Sequence, residues 1–460
     1  MARRILDRVP HWSQTPAQRI VGPLQEFIHN SAAGGIVLIS AAVLALILAN
    51  SPLSEGYNEL LHSEVSVTAG SYTLGADVLH WVNDGLMAVF FFLVGLEMKR
   101  ELLVGELSNR RAAMLPLVAA VGGAAVPALI YVAMNSSREV VGGWGVPMAT
   151  DIAFALGILA LLGSRAPFAL KVFLTSVAII DDLIAVLVIA IFYSSGINFV
   201  ALGMGIAVLF AMLALNLLGV HRTWVFAVLS FFVWLPFFES GVHATIAGVL
   251  AAWMVPARFK MEPVDFVRRV REMLDRFETI PLSTPDDLMI TDQRQQSAVI
   301  EIEDACEAVQ APLQNMEHSL HFPVNFVVMP LFALANAGVA LSLSGLEGEA
   351  GLVTLGIILG LVVGKPAGIM LASWLAVRTG LGALPEETNW AQVLGAACLG
   401  GVGFTMSLFI AALAFGDGPL LDASKLGILA ASLISGTLGY VLLRRASADQ
   451  TIPTPEPAAH

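Results

Sequence analysis

Residues 168–193 read FALKVFLTSVAIIDDLIAVLVIAIFY, an apolar run with two adjacent acidic residues, Asp181 and Asp182, near its centre. The run is long enough to cross a bilayer, which takes about 20 mostly apolar residues in a helix. A charge at the centre of such a helix costs about 2.5–3.5 kcal/mol even on lenient insertion scales. The run therefore predicts a membrane helix. Because burying its two carboxylates is costly, they are expected to have a functional role.

Apolar windows of similar length continue on both sides of this run. They lie at 33–50, 81–98, 112–135, 141–163, 198–219, 222–238, 243–256, 322–343, 352–377, 391–415 and 423–443. With 168–193 counted as the fifth, there are twelve windows. The seventh (222–238) and the eighth (243–256) are short, but the residues from Pro236 to Gly241 have the composition of a turn between two helices. The sequence therefore predicts an all-α polytopic membrane protein with twelve transmembrane helices.

Composition supports a membrane protein. Of the 460 residues 57% are hydrophobic and 13% are charged, whereas soluble domains carry about 25% charged residues. The mean hydropathy is +0.78 and the net charge is −12, which argues against a soluble enzyme, a disordered regulator and a nucleic-acid-binding protein. With Cys306 and Cys398 alone, a disulfide framework is excluded beyond a single pair.

Basic residues predict the orientation of the twelve helices. If the amino terminus is cytoplasmic, 21 of the 24 lysines and arginines fall in cytoplasmic segments, and the external segments hold only Arg138 and Lys425. Merging windows seven and eight would put the seven basic residues of 257–321 outside. The first apolar window begins about thirty residues in and is followed by many others, so it is read as an anchor and not as a cleaved signal peptide. Both termini are expected in the cytoplasm.

The predicted membrane helices divide the chain into five segments. These are a cytoplasmic segment 1–32, a membrane domain 33–256, an acidic cytoplasmic loop 257–321, a second membrane part 322–444 and a disordered tail 445–460. The external residues 63–74 alternate polar and apolar side chains around Gly70-Ser71, which predicts a small β-hairpin. Within the acidic loop, 263–277 and 295–310 have helical patterns.

Four charged residues fall at similar depth near the centres of predicted helices: Asp151, Asp181, Asp182 and Lys365. Lys365 could serve only to neutralise one aspartate and hold helices together, but three carboxylates against one ammonium leave uncompensated acid. Asp181 and Asp182 point about 100° apart on a helix. One of them could therefore face the lysine while the other faces an aqueous cavity.

Glycine and proline interrupt two helices at the same depth. Gly142, Gly143, Gly145 and Pro147 precede Thr150 and Asp151 in window four, and Gly400, Gly401 and Gly403 precede Thr405 in window eleven. Such interruptions predict discontinuous helices that cross at the midplane, although small residues also serve close helix packing. Windows 3–5 and 10–12 run in opposite directions, and each triplet has its break in the middle member. This arrangement predicts inverted repeats.

Buried carboxylates beside an ammonium can exchange protons near neutral pH. Na⁺ and Li⁺ prefer carboxylate and carbonyl oxygens, which an unwound helix next to aspartates supplies. Thr150 could add an oxygen ligand or cap a half-helix. If the site opens to one side at a time, competition between the cation and the proton becomes exchange, and no covalent chemistry is required.

Several short motifs resemble the NhaA-type bacterial Na⁺/H⁺ antiporters, in consistent order from about residue 33 to 443. The motifs are Asn83-Asp84-Gly85-Leu86-Met87-Ala88-Val89-Phe90-Phe91, Gly95-Leu96-Glu97-Met98-Lys99-Arg100-Glu101, Ala149-Thr150-Asp151-Ile152-Ala153-Phe154, Ile180-Asp181-Asp182, Ser240-Gly241-Val242-His243-Ala244-Thr245, Ala335-Asn336-Ala337-Gly338, Gly364-Lys365-Pro366 and Gly403-Phe404-Thr405-Met406-Ser407. That family is a known example of inverted-repeat transporters.

The resemblance implies roles for the buried charges. Asp182 would be the principal carrier of Na⁺ and protons, with Asp181 as second carboxylate and partner of Lys365. Asp181, Asp182 and Thr150 would hold Na⁺ or Li⁺, and Asp151 would offset half-helix dipoles where the broken helices cross. The family exports Na⁺ or Li⁺ electrogenically across the bacterial inner membrane, with more than one proton entering per ion, and it is neither an enzyme nor dependent on a cofactor.

The resemblance also implies regulatory and contact residues. Residues matching the alkaline pH response are Glu97, Lys99, Arg100, Glu101, His243, Glu317, His318 and His321. Histidines beside carboxylates suit a pH sensor, but ordinary surface charge at a membrane edge is the commoner reason for such residues, and a histidine at a helix end, such as His243, is likewise more often structural. Asp84 would line the outer opening, and the hairpin 63–74 would form a homodimer contact. The loop 257–321 is longer than the connection usual in the family, which points to altered regulation or a cytoplasmic partner.

Two other classes fit less well. A transporter for an organic solute would need a larger polar pocket with cationic or aromatic contacts, and Lys365 is the one basic residue at mid-depth. A membrane enzyme would need a catalytic motif. Neither HExxH, GxSxG nor CxxC occurs, and Gly364-Lys365-Pro366 lacks the first glycine and the hydroxyl residue of a phosphate-binding loop.

Overall fold

The apolar windows of the sequence fold into helices in a computed structural model, which describes residues 33–70, 72–194, 196–259, 261–278, 293–341 and 347–446. In the first half these are α1 (Ala33–Ala49), α2 (Ser54–Leu61), α3 (Val78–Leu103), α4 (Arg110–Met134), α5 (Ile152–Leu161), α6 (Phe168–Phe192), α7 (Phe199–Leu217), α8 (Thr223–Glu239) and α9 (Ala244–Met254). In the second half they are α10 (Pro263–Glu278), α11 (Gln293–Val309), α12 (Pro312–Asn336), α13 (Glu349–Arg378), α14 (Trp390–Gly400), α15 (Phe404–Phe415) and α16 (Pro419–Ala446). The predicted segment 1–32 and most of the predicted tail 445–460 lie outside the described residues.

Eight helical segments of the described residues are long and apolar enough to cross a membrane, and one of them, Val141–Leu161, consists of a 3-10 segment followed by α5. The number rises to ten if two bent pairs each count as one crossing, α1 with α2 at 116° and α14 with α15 at 43°. Helices α8 and α9 occupy windows seven and eight but have only 17 and 11 residues, and at about 1.5 Å per residue α9 is shorter than the hydrocarbon core. The mostly helical membrane fold is thus confirmed, whereas the count of twelve crossings stays a prediction.

The predicted external hairpin is present as strands β1 (Glu64–Ala69) and β2 (Tyr72–Asp77), which pair antiparallel with Ala69 opposite Tyr72. The second strand is longer than predicted, because it runs directly into α3. Asp77 ends the strand and its carboxylate accepts a hydrogen bond from the backbone N–H of His80 at 2.7 Å. The Trp81 indole N–H donates to the carbonyl oxygen of Val65 at 3.0 Å, so the hairpin is fixed to the start of α3.

The acidic loop contains both predicted helices as α10 and α11, which pack against each other. The backbone N–H of Met261 donates to the carbonyl oxygen of Ala308 at 2.9 Å and joins the two ends of this helix pair. Helix α12 differs from the expectation, because it begins at Pro312 and not near 322. Proline is favoured in the first turn of a helix, and the early start puts Glu317 and His321 on the helix itself.

Close approach between α4 and α13 requires two glycines. A Cβ atom on Gly122 would meet the backbone of Gly368, and a Cβ atom on Gly368 would meet the backbone of Gly122. Contact of this kind lets the helix backbones approach as small residues do in membrane bundles. It also sets the position of Lys365, one turn before Gly368 on α13.

Helix α9 runs parallel to α3, since His243 before α9 lies near Asp84 and Trp253 near its end lies beside Lys99, whereas α12 runs antiparallel to α3. Asn336 at the carboxyl end of α12 donates to the Asn83 side chain near the start of α3 at 2.7 Å, and His321 near the other end of α12 lies beside Glu97. The bundle therefore has two distinct ends, which we call the hairpin end and the Glu97 end.

Candidate functional site

The predicted interruption of the helix in window four (141–163) is present. It consists of a 3-10 segment followed by an extended stretch. Residues Val141–Met148 form the 3-10 segment, and α5 begins only at Ile152. Hydroxyl groups from neighbouring segments secure this backbone: Tyr193 donates to the carbonyl oxygen of Gly142 at 2.7 Å, and Ser407 donates to that of Val146 at 2.8 Å. Proline and glycine in the segment disfavour a regular α-helix, and the side-chain hydrogen bonds partner its polar groups.

The second break lies between α14 and α15, and it contacts the first one directly. The backbone N–H of Asp151 donates to the carbonyl oxygen of Val402 at 2.7 Å, and the Thr150 hydroxyl donates to that of Gly400 at 2.8 Å. Thr150 therefore caps the carboxyl end of α14. The two interrupted helices meet at their interruptions, at the depth of the buried charges.

Asp151 binds the amino-terminal ends of both half-helices. One carboxylate oxygen accepts from the backbone N–H of Phe154 at 2.9 Å, which makes Asp151 the N-cap of α5. The other oxygen accepts from the Thr405 backbone N–H at 3.1 Å and from its hydroxyl at 2.5 Å. The carboxylate is buried and stands where two positive helix ends point, so its charge is offset by both dipoles.

Lys365 pairs with one member of the aspartate pair. Its ammonium donates to Oδ2 of Asp181 at 2.5 Å and also to the carbonyl oxygen of Met148 at the end of the 3-10 segment. Lys365 and Asp181 are 0% and 1% exposed, so both charges lie away from solvent. A π-helical turn, Gly360–Gly364, directly precedes Lys365 in α13, and such turns are frequent at functional sites.

Asp182 has different surroundings. It is 1% exposed, and neither of its carboxylate oxygens has a hydrogen-bond donor among the described residues. Asp182 lines a cavity of about 370 Å³, together with Asp151 and Thr405. A buried carboxylate without a partner is costly, so this group is the one prepared to take up a cation or a proton.

The same cavity extends to the Glu97 end of the bundle, where Glu97 and His321 are part of its lining. Arg100 donates through Nε to both carboxylate oxygens of Glu317, at 3.0 and 3.1 Å, and its Nη1 lies 2.9 Å from Glu101. The nitrogen atoms of His321 lie 3.7 Å from Glu97 and 3.7 Å from Glu317. These five residues of the predicted pH response are therefore neighbours.

The other three residues predicted for the pH response lie elsewhere. The Lys99 ammonium donates to the carbonyl oxygens of Trp253 and Val255 at the carboxyl end of α9, at 2.5 Å each. His318 is exposed. His243 lies at the hairpin end, where its Nδ1 is 3.7 Å from Asp84.

Asp84, predicted at the outer opening, is held between two histidines. His80 lies 3.0 Å from one of its carboxylate oxygens and His243 lies 3.7 Å from the other. The backbone carbonyl of Asp84 accepts from the Trp234 indole at 3.1 Å, and a π-helical turn, Trp81–Leu86, contains it. Asp84 thus belongs to a separate polar group at the hairpin end.

Sequence reasoning missed the role of Thr405. A hydroxyl residue directly after a glycine-rich interruption was a usable signal, since exposed helix amino termini need side-chain partners. Its bonding partner Asp151 lies 254 residues away in the chain, so the pairing itself could not be read from local pattern.

Two broken helices that meet beside buried charges, with a cavity leading to an unpartnered carboxylate, define a membrane transporter for small ions. Residues 25–443 match the family described as Na⁺/H⁺ antiporter 1, and the chain belongs to that family. It is 46% identical to the Na(+)/H(+) antiporter NhaA of Sulfurimonas denitrificans over 94% of this chain and 97% of that protein. It is 46% identical to the protein of the same name from Oleidesulfovibrio alaskensis, over 95% of this chain and 96% of that one. The Syntrophobacter fumaroxidans protein of that name is 47% identical over 92% of this chain and 90% of its own length.

Proposed function

We propose that this protein is a secondary active antiporter that exports Na⁺ or Li⁺ in exchange for protons by alternating access. One observation carries the proposal: the Asp182 carboxylate has no hydrogen-bond donor among the described residues, although it is buried at the inner end of a cavity. Such a group needs a cation or a proton as its partner. Because both ligands take the same oxygens, each one displaces the other.

The groups around Asp182 support this mechanism. Asp181 is already paired with Lys365, so a bound cation meets one uncompensated carboxylate and one neutralised carboxylate. We expect the Thr150 hydroxyl and backbone carbonyls of the two interruptions to add further oxygen ligands, the kind that an alkali cation prefers. The resemblance implies electrogenic exchange with more than one proton per ion, and two buried carboxylates in one site are consistent with it.

The predicted topology completes the mechanism. We infer twelve crossings with both termini in the cytoplasm of a bacterial inner membrane, and inverted repeats over crossings 3–5 and 10–12. The distribution of basic residues supports this orientation, and so does the position of one interrupted helix in each repeat. In this orientation the Glu97 end faces the cytoplasm and the hairpin end faces outward, with Asp84 at the outer opening.

We also infer alkaline activation through the network of Glu97, Arg100, Glu101, Glu317 and His321. Its carboxylates, guanidinium and imidazole are within interaction distance of one another. Because Glu97 and His321 line the cavity, a change in their charge alters the field that an approaching cation meets. Lys99, His318 and His243 are outside this network, and the first of these has a structural contact at α9.

Two further assignments rest on the resemblance and the sequence. The hairpin β1–β2 is proposed as the contact of a homodimer, because an isolated two-stranded sheet is marginally stable and gains from a partner surface. The loop 257–321 is proposed to bind a cytoplasmic partner or to adjust the pH response.

The function is tested in everted membrane vesicles by following ΔpH with a fluorescent amine. Added Na⁺ or Li⁺ is expected to dissipate the gradient at pH 8.5, whereas K⁺ is not. Asp182→Asn is expected to abolish the response, and Asp265→Asn, a change on the exposed surface of α10, is expected to leave it intact. No response to either cation, or full activity of Asp182→Asn, would contradict the proposal and favour a transporter for another solute.

A further inference from the structure

The Glu97 end carries a group of three side chains with the chemistry of metal ligands. One ligand atom from each of Glu97, Glu317 and His321 lies within 4.8 Å of the other two. The imidazole stands between the carboxylates, with Nδ1 3.7 Å from Glu97 and Nε2 3.7 Å from Glu317. In a tetrahedral zinc site with bonds near 2.1 Å, two ligand atoms lie about 3.4 Å apart. An ion binds only one ring nitrogen, so the site forms when side-chain rotations bring that nitrogen and one oxygen of each carboxylate from within 4.8 Å to this separation.

The basic side chains near this group, Lys99 and Arg100, do not prevent a metal ion from binding there. The Lys99 ammonium, two residues from Glu97, is engaged by the carbonyl oxygens of Trp253 and Val255. Arg100 contacts Glu317, but each carboxylate oxygen has two lone pairs and can accept from a guanidinium while it binds a metal. Two carboxylates against one guanidinium leave the group acidic, and Glu101 adds a further negative charge beside Arg100.

The ligand types select the kind of ion. An imidazole nitrogen together with carboxylate oxygens suits Zn²⁺ and other late divalent metals, whereas Na⁺ prefers oxygen ligands alone. Three protein ligands leave a fourth position for water, which the half-exposed position of His321 allows. The site is thus chemically distinct from the oxygen site around Asp182.

A metal ion bound to these three residues would affect the passage of cations through the cavity. Glu97 and His321 line the cavity that leads to Asp182, so an ion held between them occupies its mouth. A divalent charge there repels an incoming alkali cation and narrows the opening. We propose that Glu97, Glu317 and His321 bind Zn²⁺ at the mouth of the cavity and that the bound metal blocks the passage of Na⁺ to Asp182.

Metal binding is tested on purified, tag-free, full-length protein in detergent, with Co²⁺ as a spectroscopic probe and Zn²⁺ as its competitor. Wild type is expected to show visible ligand-field bands that saturate at one additional Co²⁺ per chain relative to His321→Ala, and Zn²⁺ is expected to remove them. Glu97→Gln is expected to lower the affinity about tenfold or more, as the loss of even an outer partner of a metal ligand does. His318→Ala is the matched control, because this exposed histidine is one turn away and outside the group.

Inhibition is tested in everted vesicles, in which the cytoplasmic face meets the medium. Zn²⁺ is expected to inhibit Na⁺-dependent ΔpH dissipation by wild type and by His318→Ala at similar concentrations. The activity of His321→Ala and of Glu97→Gln is normalised to its value without metal. Each variant is expected to need at least about tenfold more Zn²⁺ than wild type for the same fractional inhibition. The inhibition assay rests on the proposed antiport, whereas Co²⁺ binding does not, so the two failures can be distinguished.

Identical Co²⁺ spectra for wild type and His321→Ala would overturn the metal site. Equal sensitivity of all variants to Zn²⁺ would overturn the block at this site, even if the metal binds. If His321→Ala does not fold, Glu97→Gln provides the test. A Co²⁺ affinity of Glu97→Gln equal to that of wild type would also overturn the proposal.

Discussion

Asp181 and Asp182 are adjacent in the chain, yet their surroundings are opposite because successive residues of a helix point about 100° apart. Asp181 meets the Lys365 ammonium at 2.5 Å, and Asp182 faces the cavity without a donor among the described residues. The same substitution at the two positions therefore has different consequences. At Asp181 it removes the partner of a buried charge, and at Asp182 it removes an uncompensated charge.

We expect Asp182→Asn to lose Na⁺-dependent exchange while the protein keeps or raises its melting temperature. Asparagine occupies the same volume, and no described hydrogen bond is lost, while the cost of a buried carboxylate disappears. Thermal unfolding in detergent and the vesicle assay measure the two effects on the same preparation. A strongly lowered melting temperature for Asp182→Asn would mean that the carboxylate has a structural partner in the resting protein.

Lys365→Met is expected to destabilise the protein by about 3–5 kcal/mol, because it leaves Asp181 as an unpaired buried charge. The double variant Lys365→Met/Asp181→Leu is expected to recover most of this loss, since replacing a buried ion pair with apolar residues is often neutral. Unfolding by denaturing detergent compares wild type, both single variants and the double variant. Additive losses in the double variant would contradict a direct pairing of these two residues.

The interrupted helices are joined through side chains and not only by packing. Asp151 accepts from the amino end of α5 through Phe154 and from the amino end of α15 through Thr405. Thr150 closes the carboxyl end of α14 through Gly400. Each interruption leaves helix ends inside the membrane, where backbone N–H and C=O groups without a hydrogen bond cost free energy. Residues of the opposite interruption form hydrogen bonds with several of these groups.

Thr405→Val is therefore expected to cost about 1.5–3 kcal/mol, the range for a hydrogen bond to a charged group. Valine keeps the shape of threonine but removes the hydroxyl that donates to Asp151 at 2.5 Å. Thr405→Ser, which keeps the hydroxyl, is the control and is expected to lose much less. Equal losses in the two variants would attribute the effect to packing of the methyl group.

Gly122→Ala is expected to destabilise the protein by about 1–3 kcal/mol, as overpacking does, since its Cβ would press on the backbone of Gly368 between α4 and α13. Gly203→Ala on α7 is the control, because its Cβ would meet nothing within 4 Å. Alanine is the better helix former, so the control is expected to gain about 0.5–1 kcal/mol. Similar melting temperatures for the two variants would show that α4 and α13 can separate at little cost.

Sequence reasoning located the elements of the site through signals that are local. Clustered glycine and proline disfavour a regular helix, although α4 stays continuous across its own glycines and prolines, and a charge in an apolar run stands out by its cost, so both interruptions and all four buried charges could be predicted. The π-helical turns Val324–Val328 and Gly360–Gly364 could not be predicted, because apart from Asn325 they consist of valine, leucine, phenylalanine and glycine, as do regular helices of the bundle. The position of Lys99 on the carboxyl end of α9 depends on tertiary packing, and family resemblance alone put this residue with the pH response.

The two ends of the helix bundle differ in their access to Asp182. The cavity connects Asp182 with Glu97 and His321. Towards the hairpin end, Phe409 packs against His243 with ring centroids 6.3 Å apart, and against Phe91 at 5.7 Å. The structure therefore corresponds to a state in which Asp182 is reached from the Glu97 end.

This one-sided access predicts the reactivity of an engineered cysteine. Ala153 lines the cavity beside Asp151, so Ala153→Cys, made after serine replaces Cys306 and Cys398, is expected to react with an impermeant thiol reagent in everted vesicles. It is expected to stay unmodified in right-side-out vesicles. Ser66→Cys on the exposed hairpin is the control and should show the opposite pattern.

Saturating Na⁺ is expected to slow the modification of Ala153→Cys, because a cation at Asp182 occupies the inner end of the same cavity, and it should leave Ser66→Cys unchanged. Mass spectrometry of the labelled protein measures both rates. Equal labelling of Ala153→Cys in the two vesicle orientations would contradict access from one end alone. Labelling only in right-side-out vesicles would reverse the orientation inferred from the basic residues, since the Glu97 end would then face outward.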